Sequence, residues 1–418
     1  MCYTNGVYPF YLAFKEVIPL KYWRGYIAAA LFAAIVVGLQ AFADAHRVLV
    51  DLLYPYVTRL VQSTLADWSS GVSFCLWQVL VLVAVMLLLA SIVAMVLLKW
   101  NFFQWLGWVL ASCSLVFLLH TGLYGLNQYA GRLTEDEQHI GLADDIRLEV
   151  TDFQTTELVE ATRYFRDQAN LLAEQLHRNP TGQAQWPTFE EMANQAGDGF
   201  QRLTKEKSFS VFAGSTLPVK ELSWADLFSS MGINGVTMPL TGEAAVNPNI
   251  PKVALPFTMC HEMAHRMCIA VEQDANLAAY LACIENADPV FRYSGYFMAY
   301  LYCRDALLNI GTSAAKKAAA ELHDGRSDLF KADMNEYYGI YAQNIDPNAN
   351  KVATTVNDSY IKVSGDDRGT QSYDEVTVLL VSWHIQEIYL PAHQEEEQVF
   401  DPLDKNQVDI SGLPGAGK

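Results

Sequence analysis

Three stretches without a charged side chain, Tyr26 to Ala43, Val72 to Leu98 and Trp100 to Gly131, constrain this chain more than any other feature. Each is long enough to cross a hydrocarbon core of ~30 Å as a helix. Their succession predicts an anchor over residues 1–131, with spans at about 23–43, 72–98 and 102–124. Lys15, Lys21 and Arg24 precede the first span, and Lys99 lies in the tight turn between the second and third. The positive-inside tendency puts both on the cytoplasmic side and delivers everything after about residue 131 to the outside. Arg47 and Arg59, in the first loop, pull the other way. Ala41-Phe-Ala43 is a small-x-small site of the kind cleaved after signal peptides. Cleavage there would leave two spans and the same outward domain. Retention is favoured, because 25 residues before the apolar run is long for a signal peptide.

Charge divides unevenly. Residues 1–131 carry a net +2, and the remainder carries 22 Lys/Arg against 42 Asp/Glu, a net −20. A domain this acidic is a poor partner for nucleic acid or anionic lipid, and its surface reads as solubilising. Cys2, Cys75 and Cys113 lie in or near the apolar stretches, leaving Cys260, Cys268, Cys283 and Cys303. These four can form bridges, but their apolar, helical surroundings suit buried free thiols at least as well.

Residues 132–149 are polar and read as a juxtamembrane linker, 150–390 as the folded domain, and 391–418 as an acidic, disordered tail. Within the domain, a 3.6-residue period predicts helices across 150–207, broken at Asn179-Pro-Thr-Gly. Phe209 to Phe212 is a short strand candidate. The Gly-, Pro- and Thr-rich run from Gly232 to Asn249 predicts extended strands and turns. Helices are expected from Pro256, over 273–284, 294–310 and 314–322, and from Val376 to Leu390. The fold class is thus a helical membrane anchor followed by a mostly helical α+β domain.

The second helical block contains His261-Glu-Met-Ala-His265. On a helix, positions i and i+4 share a face, so both imidazoles can bind one metal while Glu262 stands beside them. Zinc with two His ligands and a Glu that takes the proton from water is the chemistry this spacing serves. A third ligand is needed. On a straight helix Glu272 lies ~10 Å beyond His265, out of reach of a bond of ~2 Å. The chain must turn after about residue 267, and no Gly or Pro in Arg266-Met-Cys-Ile-Ala-Val eases that turn. Glu285 is the fallback ligand. Cys268 faces the ligand side by periodicity but is also beyond reach on a straight helix.

The chain resembles an uncharacterised bacterial family of membrane-anchored proteins with three N-terminal spans and an H-E-x-x-H domain, known only as a domain of unknown function. The resemblance covers most of residues 25–390. It is carried by Tyr54-Pro-Tyr, by Gly235-Val-Thr-Met-Pro-Leu-Thr-Gly-Glu-Ala-Ala-Val-Asn247 and by Pro256 to His265. Glu272-Gln-Asp-Ala-Asn276, Tyr293-Ser-Gly-Tyr296, Asn357-Asp-Ser-Tyr360, Gly369 and Tyr373 complete it. Members usually carry a Gly three residues after the second His, which lets the helix break; this chain has Cys268 there. Glu272-Gln-Asp-Ala-Asn276 also looks like the Glu-x-x-Ala-Asp segment of gluzincin peptidases, a zincin group whose Glu binds zinc. That resemblance implies Glu272 as third ligand. It also implies a zincin-like domain in which the strand around Gly235, Val236, Thr237 and Met238, with Glu243 and Asn247, pairs with an extended substrate. Glu243 is read either as a turn residue or as a carboxylate that recognises a substrate amine.

Tyr360, Tyr293, Tyr296 and His384 are candidates to stabilise an oxyanion. Asn276, Asn357 and Asp358 are candidates to orient the ligands from behind. The expected function is a membrane-anchored zinc metallopeptidase with one Zn2+ per chain, acting on a peptide or protein substrate outside a bacterial cell membrane. The alternative is an inactive envelope sensor or scaffold of the same fold. Cys268 in place of Gly favours the alternative; retention of Glu262 favours the enzyme.

Overall fold

The computed structural model describes residues 20–130, 133–135, 148–149, 153–364 and 376–392. In chain order, α1 (Arg24–Ala45), α2 (Arg47–Ser69), α3 (Leu76–Leu97) and α4 (Phe102–Leu123) come first. Of these, α1, α3 and α4 are long and apolar enough to cross a membrane, within a few residues of the expected spans. Helices α1 and α4 cross at Gly25 and Gly107, where a Cβ on Gly25 would come within 2.3 Å of the Gly107 carbonyl carbon. Only hydrogen fits there, as at many close helix crossings in lipid.

The first loop is not a loop. It is the 23-residue helix α2, separated from α1 by His46 alone. Its inward face carries Val50, Thr58, Arg59, Gln62 and Ala66, all buried, and these residues join the anchor to the domain. Arg59 donates from Nε to the Met267 carbonyl (3.2 Å) and from a terminal nitrogen to the Ser210 carbonyl (2.9 Å). Gln62 donates to the Pro239 carbonyl (3.1 Å).

Beyond α4, the two-residue strands β1 (Thr134–Glu135) and β2 (Leu148–Glu149) pair in parallel within the expected linker. Then come α5 (Thr155–Ala173), α6 (Phe189–Gln195), α7 (Gly197–Lys205), β3 (Lys220–Glu221), α8 (Ala225–Ser230), β4 (Gly235–Met238) and β5 (Glu243–Val246). Helices α9 (Leu255–Arg266), α10 (Glu272–Glu285), α11 (Pro289–Ile310), α12 (Ser313–Asp324), α13 (Asp328–Asn344), α14 (Pro347–Ser364) and α15 (Val376–His384) follow. The domain is therefore mostly helical with one small sheet of order β3-β5-β4. The strand expected at Phe209 to Phe212 is a 3-10 turn, Ser210–Phe212. Helices α13 and α14 fall where no helix was anticipated. Gly369 and Tyr373, and residues 393–418 of the expected tail, lie outside the described residues.

Helix α10 is the axis of the core, with every residue from Gln273 to Cys283 buried. Tyr280 packs edge-on against Phe165 of α5 (5.6 Å between centroids) and Trp383 of α15 (5.0 Å). Each such ring contributes about 1.5–3 kcal/mol through burial. Cys260, Cys268, Cys283 and Cys303 are buried free thiols. One face of α9 rests on α10 and the other on β4 and β5, so the motif helix is fixed from both sides.

Candidate metal centre

Helix α9 starts with Pro256 in its first turn, where a missing N–H costs nothing. Ser294 of α11 accepts the Phe257 N–H (3.1 Å) and donates to the Val253 carbonyl (2.5 Å), pinning that end. Two turns on, His261 and His265 share a face, their rings 4.5 Å apart. The helix then stops. Cys268 takes a left-handed backbone conformation (φ 70°). Its N–H donates to the His265 carbonyl (2.9 Å), and the Ile269 N–H donates to the Ala264 carbonyl (3.1 Å). This paired arrangement usually has Gly at the left-handed position; a side chain there costs roughly 1–2 kcal/mol. Packing of Cys268 against Tyr124 and Ala270, and the Arg59 bond to Met267, hold the strained turn. The turn that Glu272 needs in order to reach the imidazoles is thus made by the non-glycine residue itself, and α10 begins at Glu272.

That reversal returns the Glu272 carboxylate to the imidazoles. Its Oε2 lies 3.4 Å from His261 Nε2 and 3.6 Å from His265 Nε2, and one donor atom from each of the three residues lies within 4.8 Å of the others. Donors around a tetrahedral zinc with bonds of ~2 Å stand ~3.3 Å apart, so the set fits that ion. His265 Nδ1 contacts the Ile269 carbonyl (2.8 Å), which turns Nε2 toward the other ligands. Glu272 Oε2 is buried with no hydrogen-bond donor among the described residues. Burial alone would lower the His265 pKa, but the Glu272 carboxylate overrides it and raises the imidazole to about 9. Burial likewise opposes ionisation of Glu272, yet His265 and His261 hold its carboxyl far below the usual range.

Glu262 points to the sheet and is 5% exposed. Thr237 of β4 donates to its Oε2 (2.7 Å). A Cβ at Gly235 would fall 2.4 Å from its Oε1, so only glycine leaves room for this carboxylate. Burial pushes the Glu262 pKa up, with His261 and His265 drawing it part of the way back. β4 is an edge strand, paired antiparallel to β5. The Asn234 carbonyl accepts the Asn247 N–H (2.8 Å). Alternation then turns the backbone of Val236 and Met238 toward β5 and that of Gly235 and Thr237 to the free edge.

Several anticipated residues lie elsewhere. Glu243 does not face the site: its two oxygens accept the backbone N–H groups of Leu76 (2.7 Å) and Trp77 (2.8 Å) at the start of α3, and Lys220 (2.7 Å). It caps an apolar helix, and the cation it holds is Lys220 rather than a substrate amine. Asn247 braces the turn before β4 through Ser229 and the Ile233 carbonyl. Glu285 ends α10, ~20 Å along the axis from Glu272, and pairs with Lys207; it is not a ligand of this set. Tyr360, on α14, is 43% exposed and bonds His120 Nε2 of α4 (3.0 Å). Asp358 pairs with Lys362 (2.8 Å) on that helix, where Asn357 also stands. The ring-orienting contact to His265 comes instead from a main-chain carbonyl. Tyr293 donates to Asp333 (2.6 Å), while Tyr296 and His384 belong to the aromatic core around Tyr164. Asn276 stays close, one turn after Glu272, accepting from Tyr302 (3.4 Å).

Two neighbours were not anticipated. Tyr124, buried just beyond α4, interacts electrostatically with Glu262, Glu272 and Tyr360. Tyr302 of α11 does so with Glu272. Neither has a motif; only the fold brings the end of the last apolar helix to this site.

No curated protein matches the chain, and no solved structure does. The family described as "Protein of unknown function (DUF3810)" matches residues 50–381, a stretch that runs from α2 through α15 and contains every residue of the ligand set. With most of its length inside that match, the chain belongs to the DUF3810 family.

Proposed function

We propose that this protein is a zincin-like, membrane-anchored zinc metallopeptidase that hydrolyses peptide bonds at the surface of a bacterial cell membrane, its catalytic domain extracytoplasmic. The observation that carries the reading is the convergence of His261, His265 and Glu272 at zinc-like separations, with Glu262 beside them and not among them. A scaffold has no use for that fourth, buried carboxylate. When bound, zinc supplies a Lewis acid that polarises the peptide carbonyl and acidifies water. With zinc held by His261, His265 and Glu272, Glu262 would accept a proton from water and pass it to the leaving amine; burial, which raises its pKa, favours its holding that proton between the two transfers. Thr237 fixes which Glu262 oxygen is free to do so. The free edge of β4 offers the Gly235 and Thr237 backbone groups to an extended substrate, main chain to main chain. The Cys268 turn removes the chief argument for an inactive relative, since the third ligand reaches its place without glycine.

The test uses the full-length chain in detergent. Zinc near one per chain, lost in His261→Ala, and peptidase activity abolished in Glu262→Gln with zinc retained, are expected. A zinc-free wild-type protein, or activity that survives Glu262→Gln, would overturn the reading.

A further inference from the structure

Helix α2 is inside out for a helix facing water. Toward the protein it turns Thr58, Arg59 and Gln62, which donate to Asn127 and to the Met267 and Pro239 carbonyls. Away from it, Leu49, Leu53, Tyr56, Val57, Leu60 and Trp68 are exposed, Leu60 and Trp68 each by 70%. They recur on one helical face, where a soluble helix would place polar residues. Helix α14 repeats the pattern: Val352, Val356, Tyr360 and Val363 are exposed at successive turns.

Connectivity fixes the height of both faces. The 23 residues of α2 extend ~34 Å, but the chain from Ser69 to the start of α3 at Leu76 spans at most ~24 Å. Since α1 and α3 flank it, α2 cannot stand upright on the membrane and must lean over toward it. Helix α14 is tied to the same level: Gln40 of α1 donates to the Val363 carbonyl (2.9 Å), and Tyr360 bonds His120 of α4. Both apolar faces therefore continue the apolar surface of the three long helices.

We infer that the outward faces of α2 and α14 are immersed in the interfacial layer of the phospholipid bilayer that α1, α3 and α4 cross. This rests on the membrane-spanning reading above, not on zinc or hydrolysis. Apolar immersion needs no charge attraction, so the acidity of the domain does not oppose it. Arg59, on the inner face of α2, holds the carbonyl of Met267, next to the Cys268 turn. The ligand set then sits within about one or two helix diameters, ~10–20 Å, of lipid.

The experiment places benzoylphenylalanine at Leu60, Val356, Leu87 or Lys317 in the full chain, reconstituted in vesicles of radiolabelled phosphatidylcholine, and irradiates. Leu87 is an exposed position in α3, and Lys317 is on α12 with its side chain 81% exposed. Lipid label at Leu60 and Val356 is expected at roughly tenfold or more the Lys317 level, comparable with Leu87. Label at Leu87 but only the Lys317 level at Leu60 and Val356, or cross-links there to a second protein chain, would overturn this proposal alone. Loss of label at Leu87 as well would overturn the membrane-spanning reading and this proposal with it.

Discussion

Glu243 and Glu262 are both buried carboxylates beside the same small sheet, 2% and 5% exposed, and they are used in opposite ways. Glu243 has its charge compensated: two backbone N–H groups and the Lys220 ammonium meet its oxygens, and its charge suits the N-terminus of α3. Glu262 receives one hydroxyl from Thr237 and has imidazoles near it, but no permanent cation. Burial is therefore not the signature of function. What distinguishes the two is unused capacity to take a proton.

The comparison breaks most visibly in activity. Glu262→Gln should lower peptidase kcat/KM by roughly 10²–10⁴-fold while leaving the thermal midpoint unchanged or higher, measured on the zinc-loaded protein. Glu243→Gln should do the reverse, costing about 3–5 kcal/mol of stability by leaving Lys220 buried beside a neutral partner; denaturant unfolding in detergent reads it. A larger stability loss in Glu262→Gln than in Glu243→Gln would erase the distinction. Gly235→Ala, which pushes a methyl against the Glu262 carboxylate, should cost about 1–3 kcal/mol and reduce kcat more than KM. Zinc uptake by the metal-free protein sharpens the contrast through pH. With His265 raised to about 9, this ligand is protonated at neutrality and must lose its proton to bind. Competition titration should show affinity rising up to about tenfold per pH unit from 7 and levelling above 9. The same raised pKa stabilises the metal-free fold at low pH, a contribution lost as pH climbs through about 9. The smallest effect is Cys268→Gly, which relieves roughly 1–2 kcal/mol of backbone strain, less the lost thiol packing, and should raise the unfolding midpoint slightly.

What could be read in the sequence was local. Charge-free runs announce α1, α3 and α4, because hydrocarbon length is written in consecutive residues. The spacing of His261 and His265 announces a shared helical face. Glu272 was legible by resemblance but not by geometry, since the left-handed φ of Cys268 leaves no mark in a residue type that rarely adopts it. The sequence leaves Glu243 open between a structural and a recognition role, because its partners lie 23, 166 and 167 residues away. Helix α2 reads as a loop in the sequence because it looks wrong for a soluble helix, with Pro55 inside it and apolar residues on its exposed face.

The grip of Arg59, Gln62 and Glu243 across the boundary between apolar helices and domain has a practical side. A fragment trimmed to begin at residue 132 would keep Lys220 and Glu243 but lose the two amides that Glu243 caps, and would bare the Met267 carbonyl and the thiol face of Cys268. The bend that delivers the third ligand would lose its outer wall. Shedding the domain from the apolar helices, by design or by proteolysis, should therefore release a protein in which the candidate metal site is damaged.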